Sequence, residues 1–529
     1  MVKVKTQGDK NLKLWLSKRR SENTTVPVEQ AQFPLIEKFG ENLTPNMRAL
    51  RLAMTIADQL LSMGVSANSV VAKTLDITET YCQRPVHIDI SANVLMVSQL
   101  RGIEREPLTL IRPVTPRDTN YMTIQSIQNL IYEIHKGQHS LDEAEQILDD
   151  LLKSPRTFPW WLIMFGNASI VAGVTLMYTS AWEAILTTFC IGMMIDRLLA
   201  LLIKHRIPPF FRQVAAAGTI TVTAALINFA ASQGVSFFFD MNPTLLVVGG
   251  VVMLVAGLVI VAAVQDAIEE YYLTANARLT KVIMQTVGIV MGILVGLYAA
   301  RKLGIGIAVS PDPLTLNDLQ LQVIGAAMAA GGYALACQTK FRAVAGIGII
   351  GGAGLFLMWN AVNTLGISVV PASGIAAAFI GIIAAFISRF WHTPSVGIIA
   401  GSIVPLVPGL MLYNGLMQLI NYPPGDPEFF RALGTLFTAA TTALAIAAGA
   451  SFGGMIGRPI NQKIAYARND IPFAEFMRRQ INPKHKVNLA NLALSQLGRI
   501  RKRREWRDHH HVGHAGAVQH DPTSHDIHP

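Results

Sequence analysis

Charge is scarce in this sequence. Asp, Glu, Lys and Arg together make up 15% of 529 residues, against 51% hydrophobic side chains. That balance excludes a single soluble globular chain of this length. Cysteine is scarcer still: Cys82, Cys190 and Cys337 are too scattered for a disulfide framework or a thiolate metal cluster. The stretch from Lys3 to Arg20 lacks the sustained apolar core of a secretory signal, so the residues before the first apolar run are expected to stay on the side of synthesis. The formal charge of +10 is read as Lys and Arg retained at the cytoplasmic side of a membrane rather than as a nucleic-acid footprint. No nucleic-acid partner and no cofactor is expected.

What charge there is lies at the two ends. Residues 1–43 read as a polar, basic arm and 458–529 as a basic, His-rich tail, while 159–457 is nearly all apolar run and short loop. Between arm and membrane, residues 44–157 read as a compact α+β cytoplasmic domain. Thr44-Pro45 suits the cap and first turn of a helix whose apolar face is Leu50, Ala53, Met54, Ala57, Leu60 and Leu61, with Gly64 ending it. A second helix is expected over Ala67–Tyr81. Three β-branched runs, Val86–Ile90, Asn93–Ser98 and Pro107–Arg112, predict a small antiparallel sheet. Helices over Ile124–His135 and Leu141–Leu152 follow, the latter opening on a Ser140/Glu143 capping box. His87, Asp89, His135 and His139 lack metal-ligand spacing and an accompanying nucleophile, so they are read as structural and the chain as no enzyme.

About twenty uncharged residues at a 1.5 Å rise cross a hydrocarbon core of ~30 Å. On that measure the spans are Pro159–Tyr178, Ala181–Ile203, Phe210–Ala231, Pro243–Val264, Val282–Ala300, Leu319–Cys337, Ala343–Val362, Pro371–Phe390, Pro394–Ile420 and Ala432–Gly457. Lys and Arg gather in alternate loops. Lys153 and Arg156, Lys204 to Arg212, Arg278 and Lys281, Lys340 and Arg342, Arg389, and Arg458 onward fall on one side, with Arg301, Lys302 and Arg431 as exceptions. Both termini are therefore placed in the cytoplasm. The fold class expected is a membrane all-α bundle of ten transmembrane helices with the small N-terminal α+β domain, divided as five (158–302) plus five (303–457). An odd number per half makes copied halves an inverted repeat. One short match supports the copying: Leu254-Val255-Ala256-Gly257-Leu258 returns as Leu406-Val407-Pro408-Gly409-Leu410.

The ninth run holds Pro405 and Pro408 deep in apolar sequence. Each lacks an N–H and so frees the carbonyl four residues back, those of Gly401 and Val404. Freed carbonyls facing an ammonium, and N–H groups from Gly409 onward facing a carboxylate, suit a zwitterionic amino acid. A plain packing kink is the competing reading. Tyr413 and Asn414 add polar groups one turn on, and Gln265 adds one at the end of the fourth span. Asp266 beside it, and Asp196 in the second span, are the candidates for exchanging a proton, against the alternative of helix-end charges paired in water. The glycines of the fourth and seventh spans suit close helix packing.

The QDAI and TANAR segments after the fourth span, IPPFFRQ at Ile207–Gln213, SIVPLVPGLMLYNG in the ninth, and LDEAEQILDDLLKSP before the first resemble the threonine/serine exporter family of bacterial inner membranes. The likeness covers roughly residues 45–460. It implies efflux of threonine and serine from the cytoplasm, driven by the proton gradient, through alternating access around the fourth and ninth spans. Threonine, serine, protons and membrane lipid are the partners implied. Oligomeric state is left open, a homo-oligomer included. An uncoupled channel for small solutes, and a membrane-anchored enzyme or sensor working through residues 44–157, are the alternatives. The tail, with Arg499–Arg504 and His509–His511, has the composition to lie on anionic lipid.

Overall fold

The computed structural model describes residues 44–467 except 83, 101–105, 156, 240, 255–256, 306–315 and 392. The basic arm and the tail beyond 467, with the readings placed on them, lie outside the described residues.

The N-terminal domain is built around α1 (Pro45–Ser62). Thr44 Oγ1 accepts the Met47 N–H at 3.4 Å, Pro45 occupies the first turn, and the chain leaves through Gly64 at φ +90°. The expected apolar face of α1 is buried throughout, against α2 (Ala67–Tyr81), α3 (Tyr121–His135), α4 (Leu141–Lys153) and one face of a sheet. That sheet is β1 (Val86–Ser91), β2 (Val94–Gln99) and β3 (Leu108–Pro113), antiparallel in sequence order, with Ile90 opposite Leu95 and Val97 opposite Leu110. Helix α3 starts three residues earlier than periodicity suggests. Asn120 caps it by accepting the Thr123 N–H at 3.0 Å, a polar signal that an apolar count passes over. The Ser140/Glu143 box closes at both ends.

The membrane region follows as α5 (Trp160–Leu176), α6 (Trp182–Lys204), α7 (Pro209–Ser232), α8 (Pro243–Val252), α9 (Gly257–Ile268) and α10 (Tyr272–Lys302). It continues as α11 (Leu319–Ala336), α12 (Phe341–Asn363), α13 (Val369–Trp391), α14 (Ser395–Ile403), α15 (Gly409–Asn421) and α16 (Pro427–Ala467). Among the described residues seven helices are long and apolar enough to cross a membrane, and the bent pair α14/α15 makes an eighth. The chain is a multi-pass membrane protein. Helices α5, α8 and α9 are apolar but shorter. The fourth run, expected as one span, is divided between α8 and α9, and the last helix continues past Gly457.

Glycine sets how these helices meet. Helices α5 and α11 cross antiparallel: a Cβ on Gly166 would lie 2.8 Å from the Gly332 oxygen, and one on Gly173 would lie 2.6 Å from that of Gly325. Each approach is mutual, so backbone lies against backbone with no side chain between. In the α7/α10 pair a Cβ on Gly296 would lie 2.9 Å from the Gly218 oxygen and one on Gly218 3.2 Å from that of Gly292. In α13/α16 one on Gly374 would lie 3.1 Å from the Ala445 oxygen, while one on Gly449 would meet that of Gly374.

The N-terminal domain rests on one end of the helices, called here the near face. The Tyr121 N–H donates to the Cys337 oxygen at 3.0 Å and the Met122 N–H to the Gln338 oxygen at 3.3 Å. Its core continues onto Tyr271, Tyr333, Cys337, Val396 and Ala400 of the membrane region. Met177, whose carbonyl accepts the Asn317 N–H at 2.9 Å, marks the opposite, far face.

Candidate functional site

Two interrupted helices meet in the middle of the bundle. Pro405 has no N–H to offer the Gly401 carbonyl, and Val404, one residue earlier, donates to it instead. Pro408 likewise leaves the Val404 carbonyl to the Val407 N–H, at 3.3 Å. Each proline thus tightens the bond it displaces from the i+4 to the i+3 donor. The outcome is a 3₁₀ turn over Val404–Leu406, extended backbone at Val407 (φ −66°, ψ 129°), and a new helix from Gly409. The two carbonyls expected to stand free therefore each have a backbone donor, with one lone pair remaining. The axis bends by 44° across the break. The corresponding interruption in the first half falls between Val252 and Gly257.

Between the breaks lies a cavity of about 440 Å³. Its walls are Val252, Met253, Leu258 and Val259 from the first interrupted helix and Val404 to Met411 from the second. Ile170, Val174 and Met177 of α5 and the turn after it, Leu316 before α11, Leu355 and Met358 of α12, and Val369 of α13 complete the apolar lining. Five polar side chains join them: Tyr178, Gln322, Tyr333, Ser373 and Thr442. No Asp, Glu, Lys, Arg or His is among the described residues that line it. Tyr178, Leu316 and Val369 stand at far-face helix ends, so the cavity runs from the breaks toward the far side. Tyr333, deep in α11, is its near-side floor.

The buried hydroxyls present oxygen to this space. Ser373 donates to the Val369 carbonyl at 2.8 Å and Thr442 to the Thr438 carbonyl at 2.7 Å. With each proton committed, each oxygen keeps lone pairs for an incoming donor. Gln322 Nε2 donates to the Asn317 carbonyl at 2.6 Å. Across from them α15 presents its first turn, Gly409 to Met411. The Gly409 N–H donates to the Val407 carbonyl at 2.8 Å, so the Leu410 and Met411 N–H groups are the ones that a helix start leaves without intrahelical partners, with its partial positive charge.

Of the residues singled out from sequence, Val404, Pro405, Pro408 and Gly409 line the cavity. Gly401 is buried a turn earlier, where a Cβ would lie 2.7 Å from the Ile347 side chain. Tyr413 is buried among Leu246, Val247 and other residues of the first half, its hydroxyl without a hydrogen-bond partner. Asn414, half-buried, is outside the lining. Gln265 donates to Glu269 at 3.3 Å, away from the cavity.

Asp266 is fully buried near the end of α9. Its Oδ2 lies 3.0 Å from Arg278 Nη1, and its Oδ1 accepts the Ala67 N–H, at the positive end of α2, at 3.4 Å. Arg278 also donates to the Val65 carbonyl at 3.5 Å. These contacts tie the N-terminal domain to the near end of the first interrupted helix. Asp196 accepts from Asn167 Nδ2 at 2.7 Å and from Arg197 Nε at 2.9 Å, and the Arg197 guanidinium lies 4.7 Å over the Trp160 ring. Neither carboxylate reaches the cavity.

Sequence reasoning passed over Gln322, Ser373 and Thr442. A lone hydroxyl in an apolar helix ordinarily bonds back to its own turn, which these two also do, so only the cavity distinguishes them. His139 is 3.1 Å from Glu133, and no group of three or more metal-ligating residues occurs among the described residues.

A helical membrane protein with two interrupted helices around a central cavity is built as a transport protein. Comparison with known proteins narrows the class. A family model described as putative threonine/serine exporter matches residues 51–299, and a second, described as threonine/serine exporter, ThrE, matches residues 322–456. The probable threonine/serine exporter of Mycobacterium tuberculosis is 30% identical over 421 residues, 78% of this chain and 77% of its own. The threonine/serine exporter of Corynebacterium glutamicum is 26% identical over 451 residues, 84% and 90% of the two chains. No solved structure matches. The chain belongs to the threonine/serine exporter family.

Proposed function

We propose that this protein is a secondary active exporter of threonine and serine, driven by the proton gradient and working by alternating access at the central cavity. The observation that carries the reading is a cavity of about 440 Å³, within the range of small-molecule sites, at the junction of two interrupted helices, with no Asp, Glu, Lys, Arg or His among the described residues that line it. An ion carrying net charge would enter it without a counter-charge, which is costly in a low-dielectric interior. A zwitterion brings its own balance. In this reading the first turn of α15 holds the carboxylate, and the oxygens of Ser373 and Thr442 accept from the ammonium. The remaining amide capacity of Gln322 meets the substrate hydroxyl, which sets threonine and serine apart from valine and alanine.

Alternating access is supported by the pairing of parts. Helix α5 crosses α11 antiparallel with reciprocal glycines, and α7/α10 repeats as α13/α16. The Leu-Val-x-Gly-Leu segment stands at both interruptions. Together these favour an inverted repeat of five plus five spans, whose halves rock about the cavity. The near face is read as cytoplasmic from the Lys and Arg of its loops, in the inner membrane of a bacterium.

For the proton we assign Asp266. Its charge is held by Arg278 and the Ala67 N–H, so opening the near face removes a stabilising partner and favours protonation. Asp196, held by Asn167 and Arg197, is the second candidate. Because both lie away from the cavity, coupling is conformational rather than by contact with substrate.

Efflux from threonine-loaded cells tests this reading. Efflux that collapses with an uncoupler, and falls at least tenfold in Asp266→Asn, is expected. Efflux indifferent to the uncoupler argues for a channel, and unaltered efflux in Asp266→Asn removes that residue from the mechanism.

A further inference from the structure

The N-terminal domain does more than sit on the near face. It holds the near segment of both interrupted helices. In the first half the grip is ionic: Val65 and Ala67 bind Arg278 and Asp266 at the end of α9. In the second half the grip is aromatic and centres on Tyr121, at the start of α3. Its backbone N–H donates to the Cys337 oxygen at 3.0 Å, and Asn120 Nδ2 donates to Gln338 Oε1 at 3.1 Å. Its ring lies across the first turn of α14, where a Cβ on Gly397 would stand 2.9 Å from the ring carbons. Its side chain belongs to the buried core against which Tyr333 and Cys337 pack. Tyr333 is the cavity's near-side floor.

The chain of contact is short: domain, Tyr121, Tyr333, cavity. Tyr333 is a large side chain in an otherwise small-residue part of α11, lining the cavity and packed against the core of the soluble domain. Burial pushes the Tyr121 phenol well above its ordinary range, so it remains a neutral hydrogen-bonding group at physiological pH. Opening the near side must swing Tyr333 aside or lift α14, and Tyr121 touches both.

We infer that Tyr121 is a positioning residue for transport: with its ring laid on the first turn of α14, in the core against which Tyr333 packs, it keeps the near side of the cavity closed, so that the N-terminal domain is the latch of the near gate. This rests on the cavity being the transport site. Releasing the latch shifts the population toward near-open protein, and the apparent affinity for substrate arriving from that side rises with the competent fraction.

Full-length Val259→Cys protein in proteoliposomes, its cysteine on the cavity wall, exposed to a membrane-impermeant maleimide on one side at a time, tests the inference. Chain without that cysteine, labelled in parallel, accounts for Cys82, Cys190 and Cys337. Labelling at least tenfold faster from the far side is expected. Adding Tyr121→Ala, which removes the ring, or Gly397→Ala, whose Cβ would stand 2.9 Å from that ring and displace it, should raise the near-side rate at least fivefold and lower the KM for near-side threonine while Vmax is retained. A merely structural role predicts lower Vmax at constant KM. The two variants break one contact from opposite sides, so their combination should exceed neither alone, and either suffices if the other fails to fold. A near-side rate within twofold of the parent in both would overturn the latch. Failure of threonine to slow labelling from either side would instead overturn the site reading beneath it.

Discussion

The two interrupted helices are broken by different chemistry. The second is broken by proline: Pro405 and Pro408 each remove a donor, and the chain responds with a 3₁₀ turn and a fresh helix at Gly409. Helix α8 ends at Val252 without a proline in its last turns, and α9 resumes at Gly257. The anchors at the near face differ in the opposite sense. The first interrupted helix is held by a buried ion pair, the second by a tyrosine ring laid on glycine. One half thus carries its interruption in two prolines, while the charged hold belongs to the other half.

Removing the charged hold should have the largest effect. Asp266→Ala leaves Arg278, with 17% of its side chain exposed, facing no counter-charge, a loss of about 3–5 kcal/mol. A marked fall in the unfolding temperature in detergent is expected. Asp266→Ala with Arg278→Ala should recover much of that stability, because deleting both members of a buried pair costs far less than deleting one. If Asp266 is the proton site, transport will not recover alongside. Recovery of both would reduce Asp266 to an anchor and make the two halves alike in function.

Next in size is the seam between the halves. A Cβ at Gly332 would stand 2.7 Å from the Gly166 oxygen, so Gly332→Val must push α5 and α11 apart, at about 1–3 kcal/mol. Thermal unfolding should register it, whereas the same change at Gly434, which has nothing within 4 Å, should be close to neutral. Equal effects at the two glycines would contradict the close crossing.

The covalent break itself comes third. Pro405→Ala with Pro408→Ala restores both donors and lets the helix run on, withdrawing the first-turn N–H groups of α15 from the cavity. The KM for threonine should rise roughly tenfold, about 1.4 kcal/mol, with Vmax less affected. Smallest is Thr442→Val, which keeps the shape and removes one acceptor. About 1 kcal/mol, or roughly a fivefold rise in KM, is expected in counterflow assays.

What could be read in advance follows how local its cause is. Thr44-Pro45 and Ser140/Glu143 define helix starts within four residues, and those starts appear as expected. Pro405 and Pro408 announce a break for the same reason, since a missing N–H is a property of the residue itself. The first break had no such marker and was visible only through its echo of the second. Ser373 and Thr442 bond to their own helices and resemble any buried hydroxyl until the cavity beside them is seen. Tyr121 and Tyr333 are the hardest case. They lie far apart in sequence, each reads as an ordinary core aromatic, and only the fold brings them to one buried core. Asp266 was noticed as a polar residue ending an apolar run, but its partners Ala67 and Val65 belong to another domain.

The claim on which the rest depends is that substrate occupies the space between the two breaks. Val407 lines that space from extended backbone, so Val407→Trp fills it without lengthening either helix. Labelled threonine counterflow in proteoliposomes, with protein that elutes as the unmutated chain does, is the direct measurement. The account predicts that exchange falls to the level of empty vesicles. Exchange at the unmutated rate, with the indole in place, would show that threonine crosses by another path.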